Sequence, residues 1–179
     1  MVKKRYDNKI YLKYSKNEVV DVNHIDDIEH DFIRETLKFM NVTYGVEIIN
    51  WADIPTKGTG LGSSSSFLVG LLLALHTLEG RTPSKEALCT QSTYIEIDKC
   101  KKPIGVQDHY AAAYGGFNKI VFNTGGSFDV HSVSIKKSTL KKLNSNLILL
   151  YTGFKRTAQN IAKNYVCKLT KSKKSHILA

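Results

Sequence analysis

The chain has 179 residues, 42% of them hydrophobic, enough for one sizeable core or for one domain and the beginning of another. Its longest apolar stretch runs only from Phe67 to Leu75 before meeting His76, well short of the about 20 residues of a membrane-spanning helix, so a membrane protein is not expected. The formal net charge of +10 would suggest nucleic acid as a partner, but residues 1–135 hold 15 Lys/Arg against 16 Asp/Glu, while residues 136–179 hold 11 Lys/Arg and no acid. The excess is a C-terminal feature, and no aromatics interleave with Lys171, Lys173 and Lys174 to stack bases, so nucleic acid is not expected either. The basic start "MVKKRYDNKIYLKYS" has no apolar segment behind it, which argues against a secretory signal and for a cytoplasmic location. Cys89, Cys100 and Cys167 are widely spaced, with neither a zinc pattern nor a disulfide framework.

In chain order, "KIYLKYS" alternates Ile10, Leu12 and Tyr14 with other residues and "GVEIINW" repeats the pattern with Val46 and Ile48; both predict half-buried strands. Between them, "IEHDFIRETLKFM" puts Ile33, Leu37 and Met40 on one helical face. From Ser64 to about Glu79 the apolar residues wrap nearly all round a helix, which predicts full burial, with Gly80 and Pro83 as the stop. Thr82 and Pro83 then read as N-cap and first turn of a helix through about Asp98. "FNKIVFNTGGSFDVHSVSI" predicts two strands around a turn from Asn123 to Gly126. A last strand, "NLILLYTGF", precedes a helical pattern from about Thr157 to Leu169, beyond which the chain runs out in "TKSKKSHILA" as though part of something longer.

The segment "KGTGLGSSSSFLVGLLLAL" carries the chemistry. A glycine loop that opens into a helix presents backbone N–H groups and the positive end of the helix dipole, which together favour an anion such as phosphate. Gly58, Gly60 and Gly62 let the backbone approach a ligand, and Ser63 to Ser66 add hydroxyls for phosphate or a hard cation. A simple cap needs one serine, not four. The Walker pattern fails because Ser63 and Ser64 stand where Lys-Ser/Thr is required, and the dinucleotide fingerprint fails because Gly62 comes too early.

"IPTKGTGLGSSSS" resembles the phosphate-binding motif of the GHMP kinases (galactokinase, homoserine kinase, mevalonate kinase, phosphomevalonate kinase), with Pro55, Gly60, Leu61, Gly62, Ser63 and Ser64 matching and a spacer one residue longer than usual. "YIEIDKCKKPIGVQDHYAAAYGG" resembles the motif that follows it, a helix glutamate, Pro-x-Gly and an aspartate, matched by Glu96, Pro103, Gly105 and Asp108. With "LLYTGFKRTA", these segments look closest to the D-glycero-D-manno-heptose 7-phosphate kinases of bacterial surface polysaccharide (lipopolysaccharide, capsule or S-layer) synthesis.

The resemblance implies an α+β fold, with helices packed on a mixed sheet, in the ribosomal-protein domain-2-like arrangement with a left-handed β-α-β crossover. It implies an N-terminal ATP-binding domain over residues 1–145 lacking its first strand or strands, and the start of a truncated C-terminal domain over residues 146–179. It also implies a kinase using ATP and Mg²⁺, with Gly58, Thr59, Gly60, Leu61, Gly62, Ser63, Ser64 and Ser65 at the phosphates. Ser64 and Glu96 fall to the metal, and Asp108 to the sugar hydroxyl as base or orienting group; Asp98 is a poor second ligand. Gly105 and Arg156, with Thr152 and Gly153, are candidates for the substrate side; Ser65 and Ser66 also help cap the helix, and His109 reads as a surface residue or one behind the site. The expected partners are small molecules, ATP and a sugar phosphate, with self-association if apolar surface stays uncovered. The competing readings are a catalytically silent fragment that still binds nucleotide and another GHMP sugar kinase, galactokinase-like or fucokinase-like.

Overall fold

The structure, a computed structural model, describes residues 1–52, 60–123 and 127–150. Four strands, β1 (Val2–Lys4), β2 (Lys9–Lys13), β3 (Asn17–Asp21) and β4 (Val46–Ile49), form one sheet in the order β1-β4-β2-β3. β2 and β4 run parallel, with Ile10 opposite Val46 and Leu12 opposite Ile48, while β1 on β4 and β3 on β2 are antiparallel. The sheet is therefore mixed, as expected. A crossover through a short 3₁₀ segment, Val22–Asp27, and helix α1 (Asp31–Phe39) joins β3 to β4.

Alternation fixes which side of the sheet is covered: Ile10, Leu12, Val46 and Ile48 are buried while Lys9 and Lys13 face water. α1 lays Ile33 and Leu37 on that face, and Met40 beyond its end joins them. α2 (Ser63–Leu78) supplies Leu68, Leu72 and Leu75 to the same core, and α3 (Lys85–Thr93) adds Leu88. Gly45 permits the closure at the start of β4: a Cβ there would lie 1.8 Å from the carbonyl oxygen of Asp7. No side chain fits that gap.

Two expectations about the helices are corrected. α2 is not covered all round, because Ser66, Gly70, Leu73 and Thr77 form one exposed stripe, with Leu73 44% exposed. The cap of α3 is Ser84 rather than Thr82: its hydroxyl accepts from the Ala87 N–H at 3.0 Å, and Pro83 stays outside the helix. The helix reaches Lys99, but its last residues, Tyr94–Lys99, widen into a π turn.

Beyond it, α4 (Gln107–Tyr114) packs on α2 and α3, and β5 (Asn118–Phe122) pairs with β6 (Phe128–Ser132) as the predicted hairpin, its turn residues 124–126 lying outside the described residues. α5 (Lys137–Ser145) follows with no buried residue. The strand expected over "NLILLYTGF" does not form in its described part: Leu147 to Leu150 belong to no helix or strand among the described residues and are largely exposed. The helix expected over 157–169 lies outside the described residues. No helix among the described residues is long and apolar enough to cross a membrane.

Candidate active site

The site is assembled from three stretches distant in sequence: the entry to α2, the π turn after α3 and the first turn of α4. Gly60 and Gly62 both adopt left-handed backbone, with φ of 72° and 67°, a region that costs any other L-residue strain. Gly62 is the cap residue of α2, and no side chain among the described residues caps the helix there. The expectation that Ser65 and Ser66 help cap it is thereby corrected; the first turn keeps its N–H groups free of a side-chain cap, as an anion-binding helix start requires.

Asp108, in the first turn of α4, meets this loop directly. A Cβ on Gly62 would sit 3.3 Å from both Cγ and Oδ2 of the Asp108 carboxylate. The carboxylate is exposed, open to a substrate from solvent. Gly62 thus answers two demands at once, left-handed backbone and room for Asp108.

Glu96 lies in the π turn, a geometry that rotates side chains out of the α-helical register and recurs at functional sites. It is only 2% exposed. Ser65, also buried, donates from Oγ to Glu96 Oε2 at 3.3 Å, and His109 Nε2 lies 2.9 Å from the same oxygen. The turn closes through the Cys100 N–H on the Ile95 carbonyl and the Lys102 N–H on the Glu96 carbonyl, and Lys101 ends it in left-handed backbone.

The remaining predicted residues fall as follows. Ser63 has a buried hydroxyl without a hydrogen-bond partner among the described residues, whereas Ser64 and Leu61 are exposed. The serine hydrogen-bonded to Glu96 is Ser65, the neighbour of the Ser64 expected at the metal. Its signal was in the sequence: positions 65, 68, 72 and 75 fall on one face of α2, the one that carries the core leucines. Gly105 is exposed with open space where a Cβ would go, and Asp98 is exposed. His109 is wholly buried, so its surface reading is corrected and its place behind Glu96 stands. Gly58, Thr59 and Arg156, with Pro55, Lys57, Thr152 and Gly153, lie outside the described residues.

The residues fit the ion and the nucleotide that the motif implies. A buried carboxylate beside the Ser65 hydroxyl is a hard-oxygen donor set, and the orphaned Ser63 hydroxyl at a glycine-lined helix start suits a phosphate oxygen. Among the described residues no group of three or more His, Cys, Asp or Glu could hold a metal, which is compatible with an ion that completes its shell from phosphate and water.

A family model described as the GHMP kinases N terminal domain matches residues 23–116, and the chain belongs to that family. The particular relatives are sugar kinases. The D-glycero-alpha-D-manno-heptose 7-phosphate kinase of Campylobacter jejuni is 30% identical over 142 residues, which cover 79% of this chain and 40% of that protein. A crystal structure of a D-glycero-D-manno-heptose 1-phosphate kinase from Bacteroides thetaiotaomicron superposes with a TM-score of 0.71 at 21% identity, covering 80% of this chain and 50% of that one. Lactococcus lactis galactokinase in complex with galactose gives 0.60 at 17% identity, covering 85% of this chain and 50% of that one. The chain therefore spans half or less of the length of these relatives, and the two structures establish the fold.

Proposed function

We propose that the chain carries the nucleotide-phosphate half of an ATP-dependent sugar kinase that phosphorylates the C1 hydroxyl of D-glycero-D-manno-heptose 7-phosphate. The reading rests on one observation: the Asp108 carboxylate is seated against Gly62, the left-handed glycine that opens α2. A phosphoryl-transfer site needs an acceptor-orienting carboxylate beside the phosphate cradle.

In this scheme the loop from Gly58 to Ser65 cradles the phosphates through backbone N–H groups and the Ser63 hydroxyl. Glu96, with Ser64 at the start of α2, holds Mg²⁺, which when bound neutralises charge on the transferring phosphoryl group. Asp108 orients the sugar hydroxyl and takes up part of its proton as the oxygen attacks the γ-phosphorus; the bond to ADP breaks, giving the 1,7-bisphosphate. Gly105 and Arg156 are assigned to the sugar phosphate. We assign the nucleotide-binding unit to residues 1–145, a boundary supported by the end of α5 at Ser145. The partners on this reading are small molecules rather than nucleic acid.

The test is ADP release from Mg-ATP and the heptose 7-phosphate, with Asp108→Asn as control. ADP formation by the unmodified chain that falls at least about 100-fold in the variant supports the reading, since a positioned acid–base group contributes that much. Turnover indistinguishable between the two overturns it. A chain that binds nucleotide without releasing ADP would instead favour the silent-fragment reading.

A further inference from the structure

We propose that His109 is a positioning residue for Glu96: it fixes the carboxylate from behind so that one oxygen remains for the cation. This rests on the assignment of Glu96 to the metal. Glu96 is 2% exposed and His109 is 0% exposed, so neither can rely on water. A buried carboxylate is costly unless polar partners compensate it. Both partners in the structure, Ser65 Oγ and His109 Nε2, fall on Oε2, which leaves Oε1 as the ligating oxygen.

The His109 ring does more than fill space. A leucine would pack there without a desolvated nitrogen, whereas Nδ1 of His109 is buried with no hydrogen-bond partner among the described residues, a cost a purely structural residue would not bring. Nε2 stands at hydrogen-bond distance from Oε2 but off the line of a ring N–H donor. Such bonds often lie loose in an empty catalytic site and align when the ligand arrives. Ligating carboxylates are commonly held in this way, and loss of the outer partner weakens metal binding. His109 follows Asp108 directly in α4, so one helix turn serves both the acceptor side and the metal side of the site.

Mn²⁺ binding, followed by the electron paramagnetic resonance of free Mn²⁺ in the presence of a non-hydrolysable ATP analogue, tests this on the purified chain. His109→Leu is expected to weaken Mn²⁺ binding about tenfold or more, as loss of an outer partner does. His109→Gln, whose amide can donate to Oε2, should stay within about threefold of the unmodified chain. Folded His109→Leu with unmodified Mn²⁺ affinity overturns the inference alone, provided Glu96→Gln binds weakly; Glu96→Gln with unmodified affinity overturns the metal assignment and the inference together. Should His109→Leu fail to fold, ¹⁵N resonances of the histidine rings in the unmodified chain decide. The His109 signal, assigned by its loss in His109→Gln, must shift when Mg²⁺ is added with the analogue, and an unmoved signal overturns the proposal.

Discussion

The chain up to Tyr110 and the chain after it obey different rules. Before that point the sheet, α1, α2 and the π turn build a fully buried core, with Ile10, Leu37, Leu68, Leu72, Leu75 and Ile95 all at 0% exposure. After it, no described residue is buried, and Ile148 and Leu149 stand 84% exposed. Every described site residue belongs to the first region. Asp108 and His109 sit at its edge, carried on the one helix that packs against α2 and α3 and then leads into the open hairpin. The candidate chemistry therefore depends on a core whose buried residues all lie within residues 1–110, to which the second region adds only partly buried contacts such as Ala112, Ala113 and the Phe128 ring on Tyr110.

The largest test of that contrast is Gly45→Ala. The new Cβ has backbone, not a movable side chain, 1.8 Å away, so the turn that aligns β4 must open. A loss of about 4 kcal/mol or more, the range of exceptional mutational effects, is expected in urea unfolding. Leu72→Ala comes next, at about 2–5 kcal/mol for a fully buried leucine, read from the same transitions.

A smaller effect is expected from alkali. Burial, helped by the nearby acid Glu86, pushes the Cys89 thiol from 9.0 up to about 11, and burial with Asp31 and Glu35 pushes Cys100 up to about 12. The unfolded chain ionises these thiols first, so their contribution is whole below pH 9.0 and is lost as pH rises toward 11 to 12. Urea midpoints measured on either side of that onset should fall with pH, and Cys100→Ala should flatten the fall. Smallest is Leu149→Ala, expected to change stability by no more than about 0.5 kcal/mol, as for exposed positions generally. A large loss there would erase the contrast between the two regions.

The same contrast governs what the sequence made legible. β2, α1 and β4 were readable because their apolar residues recur at the period of the element that buries them, and α2 because a long apolar run follows the glycine loop and ends at Gly80. β1 was not: three residues, two of them lysines, carry no period, and Val2–Lys4 is a strand because β4 offers an edge. β3, with Glu18 and Asp21 inside it, is likewise held by its pairing with β2. In the site, the glycine loop before α2 was legible as an anion-binding helix start and Asp108 was named through the resemblance to the GHMP kinases, while the left-handed backbone of Gly62 and its contact with Asp108 came from the structure. The inward face of Ser65 was legible from the leucines it shares, but its bond to Glu96 and the place of His109 were not, because both depend on how α2, the π turn and α4 pack together, and a π turn shifts its register by one residue without a sequence marker. The exposed stripe of α2 was misread for a related reason: Leu73 is as apolar as its neighbours, and only the number of elements packed around the helix decides whether it is covered.

The central claim is that the loop before α2 is a phosphate cradle working with a cation. Titration calorimetry of a non-hydrolysable ATP analogue, with and without Mg²⁺, tests it most directly on the unmodified chain and on Gly62→Val. That substitution disturbs both the left-handed loop and the seat of Asp108. The account predicts binding that Mg²⁺ strengthens and that Gly62→Val weakens at least about tenfold, or 1.4 kcal/mol, while circular dichroism shows the variant folded. Equal binding by both proteins, or binding indifferent to Mg²⁺, would contradict it.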